Sequence, residues 1–555
     1  MAKLLALFVV VTSAVTFAKM PIPELPKVSI DTTFNQPTGT TWYAHNSADF
    51  KNALTSSSPG DVIVLDAGAT YIGNFTLPVK SKPKKQWIYI ESSALSSLPP
   101  PGTRVNPATD AVNMPKIVTP NTTSAITVPP GASYYRLVGL ELTSASTHGC
   151  NGTAVPPINC WSYNLVYVGG IAGETLPDSI TIDRSYLHGS PTQDVRQGVI
   201  ANGTNVAIID SYVSDVLQSV YDSQAVLAYL TPGPIKIVNN YLSSTTENIM
   251  LGGGGGPNNP YVPSDVEIRN NWLYKPLSWA TPGVTLPPNP QWVVKNHLEL
   301  KSAQRVLFDR NTLENLWAGG GQLGDSLTLT IRTSQSGNIA VVDDITITNN
   351  IIKNVAGGFS TLSSDYACGK PPYTQCTNPG EEKRLMLQNN LIIFRDPSQP
   401  GGVRNVGGFV AAGMTDFVLE NNTTVAAQTP CFASIYFILP PNTKWPPPTS
   451  DTHNVWIWNN VLCRQVSGDD GAQGTNGLNG YMGDPSPVDP RFLGNVMFVE
   501  STDKVQQFPA QNDSTPVPFT YVDPTKGNYQ LLTPDWTETS NGQIAGIDNS
   551  NLLQQ

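Results

Sequence analysis

The chain has 555 residues and a formal net charge of −10, with 32 Lys and Arg against 42 Asp and Glu. This balance argues against a nucleic-acid partner, because the chain has no basic excess to offset phosphates. Only 13% of the residues are charged, whereas 46 Gly and 48 Pro are present. Such a composition is typical of a β-rich protein with many turns and little helix.

Residues 1–18 have the features of a signal peptide. Lys3 precedes the apolar stretch LLALFVVVTSAV, and Thr16 and Ala18 stand at small-residue cleavage positions. The stretch is short for a membrane anchor, and no later segment reaches the roughly 18 apolar residues that spanning needs. We therefore expect a secreted protein, extracellular, periplasmic or at the cell surface, without a membrane span.

Residues 19–46 are rich in Pro and Thr and predict an extended lead-in. The following segment, 47–77, predicts a Ser N-cap and a short amphipathic helix around Phe50, Ala53 and Leu54, then a turn and two strands. A helix at this position would cover the open end of a stacked β structure, whose first strands otherwise lack a partner.

One motif recurs nine times: a short alternating apolar run, a polar pair, then usually two more apolar residues, as in IKIVNNYL (235–242). The copies are 26 to 40 residues apart, which is the period of a solenoid with loops of variable length. The second residue of the polar pair is Asn in seven copies and Ser in two: Ser185, Ser211, Asn240, Asn271, Asn311, Asn350, Asn390, Asn422 and Asn460.

Alternating apolar residues inside each copy predict a strand with one buried face. An Asn at the same bend of successive coils can bond to the copies above and below, and Asn tolerates the left-handed backbone of a sharp corner. The pattern therefore predicts an all-β fold, a single-stranded parallel β-helix with an N-terminal helical cap. The alternative, an antiparallel sandwich, would give turn signals roughly every 8 to 12 residues.

The coils are predicted to form one elongated domain over residues 47–465, including the N-terminal cap. Residues 466–555 are rich in Gly, Asp, Asn and Pro and predict an irregular C-terminal segment. Within it, DPTKGNYQLL (523–532) predicts a last strand or a terminal cap.

Six cysteines form three pairs by proximity in the sequence. We interpret them as disulfides that pin long loops in an oxidising compartment. Metal binding is the alternative, but the chain has no CxxC motif and only five His. The pairs are Cys150 with Cys160, Cys368 with Cys376, and Cys431 with Cys463.

The segment VVKNHLELKSAQR (293–305) concentrates ionisable residues. If its apolar residues point inward, alternation puts Lys295, His297, Glu299 and Lys301 side by side on one outer face. Such a row would line a groove with four groups able to take part in catalysis. The alternative is a row of solvated cross-strand pairs, each contributing roughly 0.2 to 1 kcal/mol.

Neighbouring coils are expected to extend this cluster, because adjacent strands lie about 4.8 Å apart. Asp222 and Glu247 come from the two preceding coils and Arg332 from the following one. Four further residues are candidates for substrate contact, two as cations and two as aromatic faces for sugar rings: Arg305, Lys275, Trp279 and Trp292.

Several segments together resemble a family of secreted bacterial right-handed parallel β-helix proteins in the pectin-lyase-like superfamily. They run from PGDVIVLDAGATYIGNFTLP (59–78) through TENIMLGG (246–253) and PSDVEIRNNWLYKPLSW (263–279) to VKNHLELKSAQRVLFDRN (294–311). The resemblance covers most of the mature chain. It implies a right-handed β-helix and an acidic polysaccharide as the expected substrate class.

The segment ELKSAQRVLFDRN (299–311) is also similar to a stretch of alginate- and chondroitin-cleaving β-helix lyases, where Lys-Ser precedes a coil ending in Asn. The similarity implies Lys301 as the proton-abstracting base, Arg332 as its acid-side partner, and Glu299 with Glu247 as metal- or substrate-orienting groups. This chain has a single glutamate at a different offset and Arg332-Thr333 where those lyases have Arg-His-Gly.

A lyase of this kind must neutralise the uronate carboxylate, remove the proton from the carbon that bears it, and protonate the departing oxygen. Ca²⁺ is the expected cofactor, with Glu247 and Asp222 as its ligands. The predicted function is β-elimination of a uronate-containing glycan. The alternatives are a non-catalytic glycan-binding surface protein and a glycoside hydrolase, for which Asp469 and Asp470 are the candidate carboxylates.

Overall fold

The computed structural model describes residues 20–80, 85–145, 161–190, 194–218, 221–254, 259–280, 292, 294–319, 322–332, 340–362, 382–396, 398–399, 408–411, 413–426, 434–437, 452–464, 466–468, 491–499, 512–515, 517–532 and 544–552. The predicted signal peptide and the candidate carboxylates Asp469 and Asp470 lie outside these residues. Within them, no helix has the length and apolar character that a membrane crossing requires.

Three long parallel sheets form the body of the protein, and each coil contributes one strand to each sheet in turn. Every strand pairs with the equivalent strand of the next coil. Sheet 1 consists of Thr41–Ala44, Val62–Leu65, Ile88–Ser92, Ser133–Val138, Asp178–Asp183, Thr204–Ile209, Ile235–Val238, Ser264–Arg269, Ala303–Asp309, Val342–Thr348, Glu382–Gln388, Met414–Glu420, His453–Trp458 and Phe492–Leu493.

Sheet 2 consists of Thr70–Ile72, Lys116–Thr119, Glu141–Ser144, Tyr186–His188, Tyr212–Val216, Tyr241–Ser244, Trp272–Tyr274, Thr312–Leu316, Ile351–Val355, Leu391–Phe394, Thr423–Val425, Val461–Leu462, Val496–Phe498 and Asp513–Thr515. Sheet 3 consists of Phe75–Thr76, Ile126–Val128, Trp161–Val168, Asp194–Ala201, Gln224–Ala228, Glu247–Leu251, Leu298–Leu300, Asp325–Thr330, Gly357–Leu362, Phe409–Ala411, Ile435–Phe437 and Val466–Gly468. Parallel crossovers of this kind are right-handed. The predicted right-handed parallel β-helix is confirmed.

The predicted asparagine ladder runs along the corner between sheets 1 and 2. Asn240 Nδ2 donates to Asn271 Oδ1 at 3.0 Å and to Ile208 O at 2.8 Å, and the same bonds recur in the following coils. The ladder continues through Asn495, whose Nδ2 donates to Asn512 Oδ1 at 3.0 Å. These buried amides therefore satisfy one another from coil to coil, which is what a buried polar row requires.

The left-handed backbone at this corner belongs to the first residue of the polar pair. Asn239, Asn270 and Asn349 have φ of 58°, 56° and 57°, and Arg310 has φ of 53°. The left-handed conformation expected at the ladder Asn is therefore found one residue earlier in the chain. The left-handed residue turns the chain and thereby points the side chain of the next residue, the ladder Asn, into the interior.

The N-terminal helix spans Ser47–Ser56, and its N-cap is Asn46 rather than a Ser. Asn46 Oδ1 accepts hydrogen bonds from the N–H groups of Ala48 and Asp49 at 2.9 and 3.0 Å. The predicted apolar face is buried, and the Phe50 ring packs against Phe75 of the first coils. The helix is present where predicted, and its role as a cap stays a prediction.

The remaining helical segments are short. Within the residues that the structure describes, they are the α-helical turn Pro107–Asp110 and the 3₁₀ turns Leu95–Ser97, Ala111–Asn113, Leu277–Trp279, Pro524–Lys526 and Asn549–Asn551. The predicted terminal strand is present as an antiparallel pair, Tyr521–Asp523 with Asn528–Leu531. Stacked strands continue as far as Thr515, past the boundary at residue 465 that the sequence analysis placed.

The lead-in lies across the outer face of sheet 1. The backbone N–H of Glu24 donates to Asp344 Oδ1 at 3.0 Å, and that of Lys27 donates to Asp265 Oδ1 at 2.8 Å. Further along, the carbonyls of Thr32 and Thr33 accept hydrogen bonds from Arg136, both at 3.0 Å. The segment therefore bridges many coils rather than extending a strand.

Candidate functional site

Glu299 and Lys301 lie together on the outer face of sheet 3. Glu299 sits between the two core leucines of the strand Leu298–Leu300, in register with Met250 of the preceding coil and Thr328 of the following one. Lys301 Nζ lies 3.4 Å from Glu299 Oε1 and 3.8 Å from Met250 Sδ. Only 10% of the Lys301 side chain is exposed, so its amine is largely shielded from water.

Arg332 lies beside Lys301 in the following coil. Its backbone N–H donates to Lys301 O at 3.0 Å. The preceding residue, Ile331, belongs to the core, and the Arg332 side chain is half-buried. The adjacency that the sequence analysis predicted for these two residues is present in the structure.

A buried polar cluster lies next to this pair. Gln197 Nε2 donates to Gln224 Oε1 at 3.0 Å, and Gln224 Nε2 donates to Glu247 Oε2 at 2.7 Å. Lys295 Nζ contacts the Asp222 carboxylate and lies 3.7 Å from Glu247 Oε1. One ammonium thus bridges two carboxylates, and two amides hold one of those carboxylates in place.

Burial governs the electrostatics of this cluster. Desolvation, with the charges of Glu299 and Asp222, raises the pKa of Glu247 to about 7. Burial alone would lower the pKa of Lys295, but the charges of Glu247 and Asp222 outweigh it and raise that pKa above its usual value. Lys295 therefore stays an ammonium ion, while Glu247 takes up a proton under mildly acidic conditions.

The structure does not bring His297 or Lys275 to the outer face. The predicted outward placement of His297 is wrong, and Lys275, a candidate for substrate contact, is buried. His297 is fully buried, and its ring nitrogens contact Ser326 Oγ at 3.3 Å and Glu314 O at 3.2 Å. Burial and the charge of Lys275 hold the pKa of His297 well below its usual value. The strand begins only at Leu298, so the period-two rule does not extend back to residue 297.

Lys275 is also fully buried, inside the turn between sheets 2 and 3. Its Nζ donates to the carbonyls of Ser244, Thr245 and Thr246 at 2.9, 3.1 and 2.8 Å. Burial lowers the pKa of Lys275 to about 7. All three donor positions are used internally, so this residue fixes the turn and does not reach a substrate in the groove.

Of the other candidate contact residues, Arg305 lies apart from the sheet 3 face. Arg305 belongs to sheet 1, and its Nε and Nη2 donate to the two carboxylate oxygens of Asp265 at 2.7 and 3.1 Å. Trp279 and Trp292 are partly buried against the core. Contact of these residues with sugar stays a prediction.

The predicted calcium ligands do not fit a calcium site in this arrangement. The position between Asp222 and Glu247 is filled by the ammonium group of Lys295. Among the residues that the structure describes, no three His, Cys, Asp or Glu side chains are grouped so that they could hold a metal ion. Lys295 therefore places a positive charge between these two carboxylates.

Five of the six cysteines in the predicted disulfides lie outside the residues that the structure describes. Of the six cysteines, only Cys463 belongs to the described residues, where it is buried and its Sγ lies 3.5 Å from Ser434 Oγ. The pairings therefore stay predictions.

Sequence reasoning missed Gln197, Gln224 and Met250. A second repeat would have revealed them, because QGVIA (197–201), QAVLA (224–228) and ENIML (247–251) occupy equivalent positions in three successive coils of sheet 3. Their first residues form the amide–carboxylate row, and their fourth residues form the apolar row that ends at Met250.

These three stacked sheets give the chain a right-handed parallel β-helix fold. No family model and no curated protein matches the chain. Among solved structures, a mutant of the PL6 family alginate lyase AlyGC is 13% identical over 93% of this chain and 57% of that chain, with a TM-score of 0.49. This chain thus spans little more than half of that protein.

Two other solved structures show a similar degree of likeness. A PL6 alginate lyase in complex with a trisaccharide is 12% identical, covers 96% of each chain and has a TM-score of 0.44. A polygalacturonase from Erwinia carotovora ssp. carotovora is 12% identical over 74% of this chain and 98% of that chain, with a TM-score of 0.41. These values assign no activity to this chain.

Proposed function

We propose that the protein is a secreted polysaccharide lyase that cleaves an acidic, uronate-containing glycan by β-elimination on the outer face of sheet 3. The observation that carries the proposal is the grouping of a shielded amine, Lys301, with the cations Lys295 and Arg332 across neighbouring coils of one face. A polyanionic sugar chain requires positive charge, and elimination requires a base beside it.

Each of the three cationic residues has its own role in the proposed reaction. Lys301 takes the proton from the carbon that bears the uronate carboxylate. Lys295 is already paired with Asp222 and Glu247, so it holds a positive charge at the groove without a metal ion. A double bond then forms as the bond from the neighbouring carbon to the departing oxygen breaks. Arg332, next to Lys301, stabilises the negative charge that develops on this oxygen, which takes up a proton from water.

The test is incubation with a panel of uronate-containing polysaccharides, following the ultraviolet absorbance of the unsaturated product. We expect Lys301→Ala to lower the rate by roughly 10² to 10⁴-fold, which is the usual cost of removing a general base. Lys353→Ala is the matched control, because Lys353 is also an outward lysine in an ion pair, 3.3 Å from Glu314 on sheet 2. It should leave the rate unchanged.

Two other outcomes would decide against the lyase. Cleavage that gives no unsaturated product, and that is lost in Asp469→Ala or Asp470→Ala but kept in Lys301→Ala, would establish a hydrolase instead. Binding of a uronate polymer without any cleavage would establish a non-catalytic glycan-binding protein.

A further inference from the structure

Gly252 to Gly254, here called the glycine roof, follow the strand Glu247–Leu251 and pass over the outer side of Lys301. Gly252 and Gly253 have φ of +80° and +75°, in the left-handed region. The backbone N–H of Gly252 is fixed by a hydrogen bond to Ala228 O at 2.8 Å. No Lys-Ser or Lys-Thr pair directly follows this glycine run, so the run is not a phosphate-binding loop.

The roof lies in direct contact with the candidate base. A Cβ added to Gly253 would stand 2.5 Å from Lys301 Cδ and 3.2 Å from Met250 Cε. A Cβ added to Gly254 would stand 2.8 Å from the ring of Tyr229. The Gly253 backbone therefore lies close to the aliphatic stem of Lys301, and a side chain at position 253 would displace that stem.

We propose that the glycine roof is a positioning element, which confines the Lys301 amine between Glu299 and Met250 and so aims it at the substrate. This inference rests on the proposed function, because the amine that it aims is the proposed base. A lysine stem has four rotatable bonds and ordinarily samples many rotamers. Backbone contact along the stem removes these alternatives before the substrate arrives, which is the geometric part of catalysis.

The first test measures how accessible the Lys301 amine is to reagents in the absence of substrate. Amine-selective reagents are applied to the native protein, and modification of each lysine is followed by peptide mass spectrometry. In the wild type, we expect Lys301 to react more slowly than Lys353, because their side chains are 10% and 41% exposed. Equal rates for the two lysines would overturn the inference.

The second test displaces the roof. Gly253→Ala should make Lys301 react severalfold faster. Gly527→Ala is the matched control, because Gly527 has φ of +77° and a Cβ there would meet nothing within 4 Å. It imposes the same backbone strain without the contact and should leave the labelling of Lys301 unchanged. Wild-type labelling in Gly253→Ala, or equal acceleration in both variants, would overturn the inference.

Kinetics then separate positioning from simple destabilisation. In Gly253→Ala we expect kcat to fall on the order of 10²-fold, as is usual for a catalytic group displaced by about 1 Å, with KM little changed. The pH profile of kcat/KM should also shift relative to that of Gly527→Ala, because the environment of the amine has changed. A fall in the amount of folded enzyme with an unchanged pH profile would contradict the inference. If the wild type cleaves no uronate polymer, the proposed function is refuted, and labelling alone decides whether the roof holds the amine.

Discussion

Removal of one rung of the asparagine ladder should cost a large share of the stability of the β-helix. Asn311 is buried in the middle of the row and accepts hydrogen bonds from the backbone N–H and the Nδ2 of Asn271, at 2.9 and 3.0 Å. It also donates to Ile268 O at 2.9 Å. Asn311→Ala leaves two donors without an acceptor. At about 1 to 3 kcal/mol for each unsatisfied buried group, the expected loss is about 2 to 6 kcal/mol.

The matched control is Asn311→Ser, because the chain already uses serine at two rungs. Ser211 Oγ accepts the backbone N–H of Ser185 at 3.0 Å, so a hydroxyl keeps the bond to the backbone of the neighbouring coil. The serine variant should therefore lose about half as much stability. Equilibrium unfolding in denaturant measures the stability of both variants. The dependence of the unfolding free energy on denaturant concentration is compared between them, because solenoids need not unfold in two states. A loss below about 0.5 kcal/mol in Asn311→Ala, the size of an ordinary surface substitution, would refute the reasoning.

Three further predictions concern charged groups. Chelation of divalent metals should leave activity unchanged, whereas Lys295→Ala should abolish activity. A requirement for added Ca²⁺ would contradict the role of Lys295 as the cation between Asp222 and Glu247. Because the pKa of Glu247 is raised from 4.5 to about 7 in the folded protein, its contribution to stability is complete below about pH 4.5 and is lost as the pH rises through about 7. Glu247→Gln should therefore flatten the fall in Tm between about pH 5 and about pH 8, and an unaltered slope would rule out this assignment. Arg136→Ala should destabilise by about 1.5 to 3 kcal/mol, because it removes one of the two buried arginine partners of Asp183, at 2.7 Å, while Arg184 keeps the other contact at 2.9 Å. Arg310→Ala, at a half-exposed pair, should cost at most about 1 kcal/mol in the same denaturation assay.

The repeated core pattern made the fold predictable, because a period of two inside each copy and an Asn after it leave few alternatives. Ile235 and Ile237 are buried as expected, and Asn240 continues the ladder at the expected corner. Asn495 was missed because its strand, Phe492–Leu493, is too short to show alternation and Gly494 replaces the usual polar residue before it.

The site was less predictable, because the alternation of side-chain directions holds only within a strand. Glu299 lies within the strand and beside Lys301, as alternation predicts. His297 lies one residue before the strand and turns inward. The Lys275 side chain points inward because its Nζ donates to three backbone carbonyls of another coil. The sequence around Lys275 does not reveal these contacts.

The most direct test of the central claim is the mass of the products released from a uronate polymer. Elimination leaves a double bond and adds no water, so each new non-reducing end is one water lighter than the corresponding end made by hydrolysis. The account predicts unsaturated products from the wild type and none above background from Lys301→Ala. Saturated products that carry the added water, or unsaturated products formed at the wild-type rate by Lys301→Ala, would contradict it.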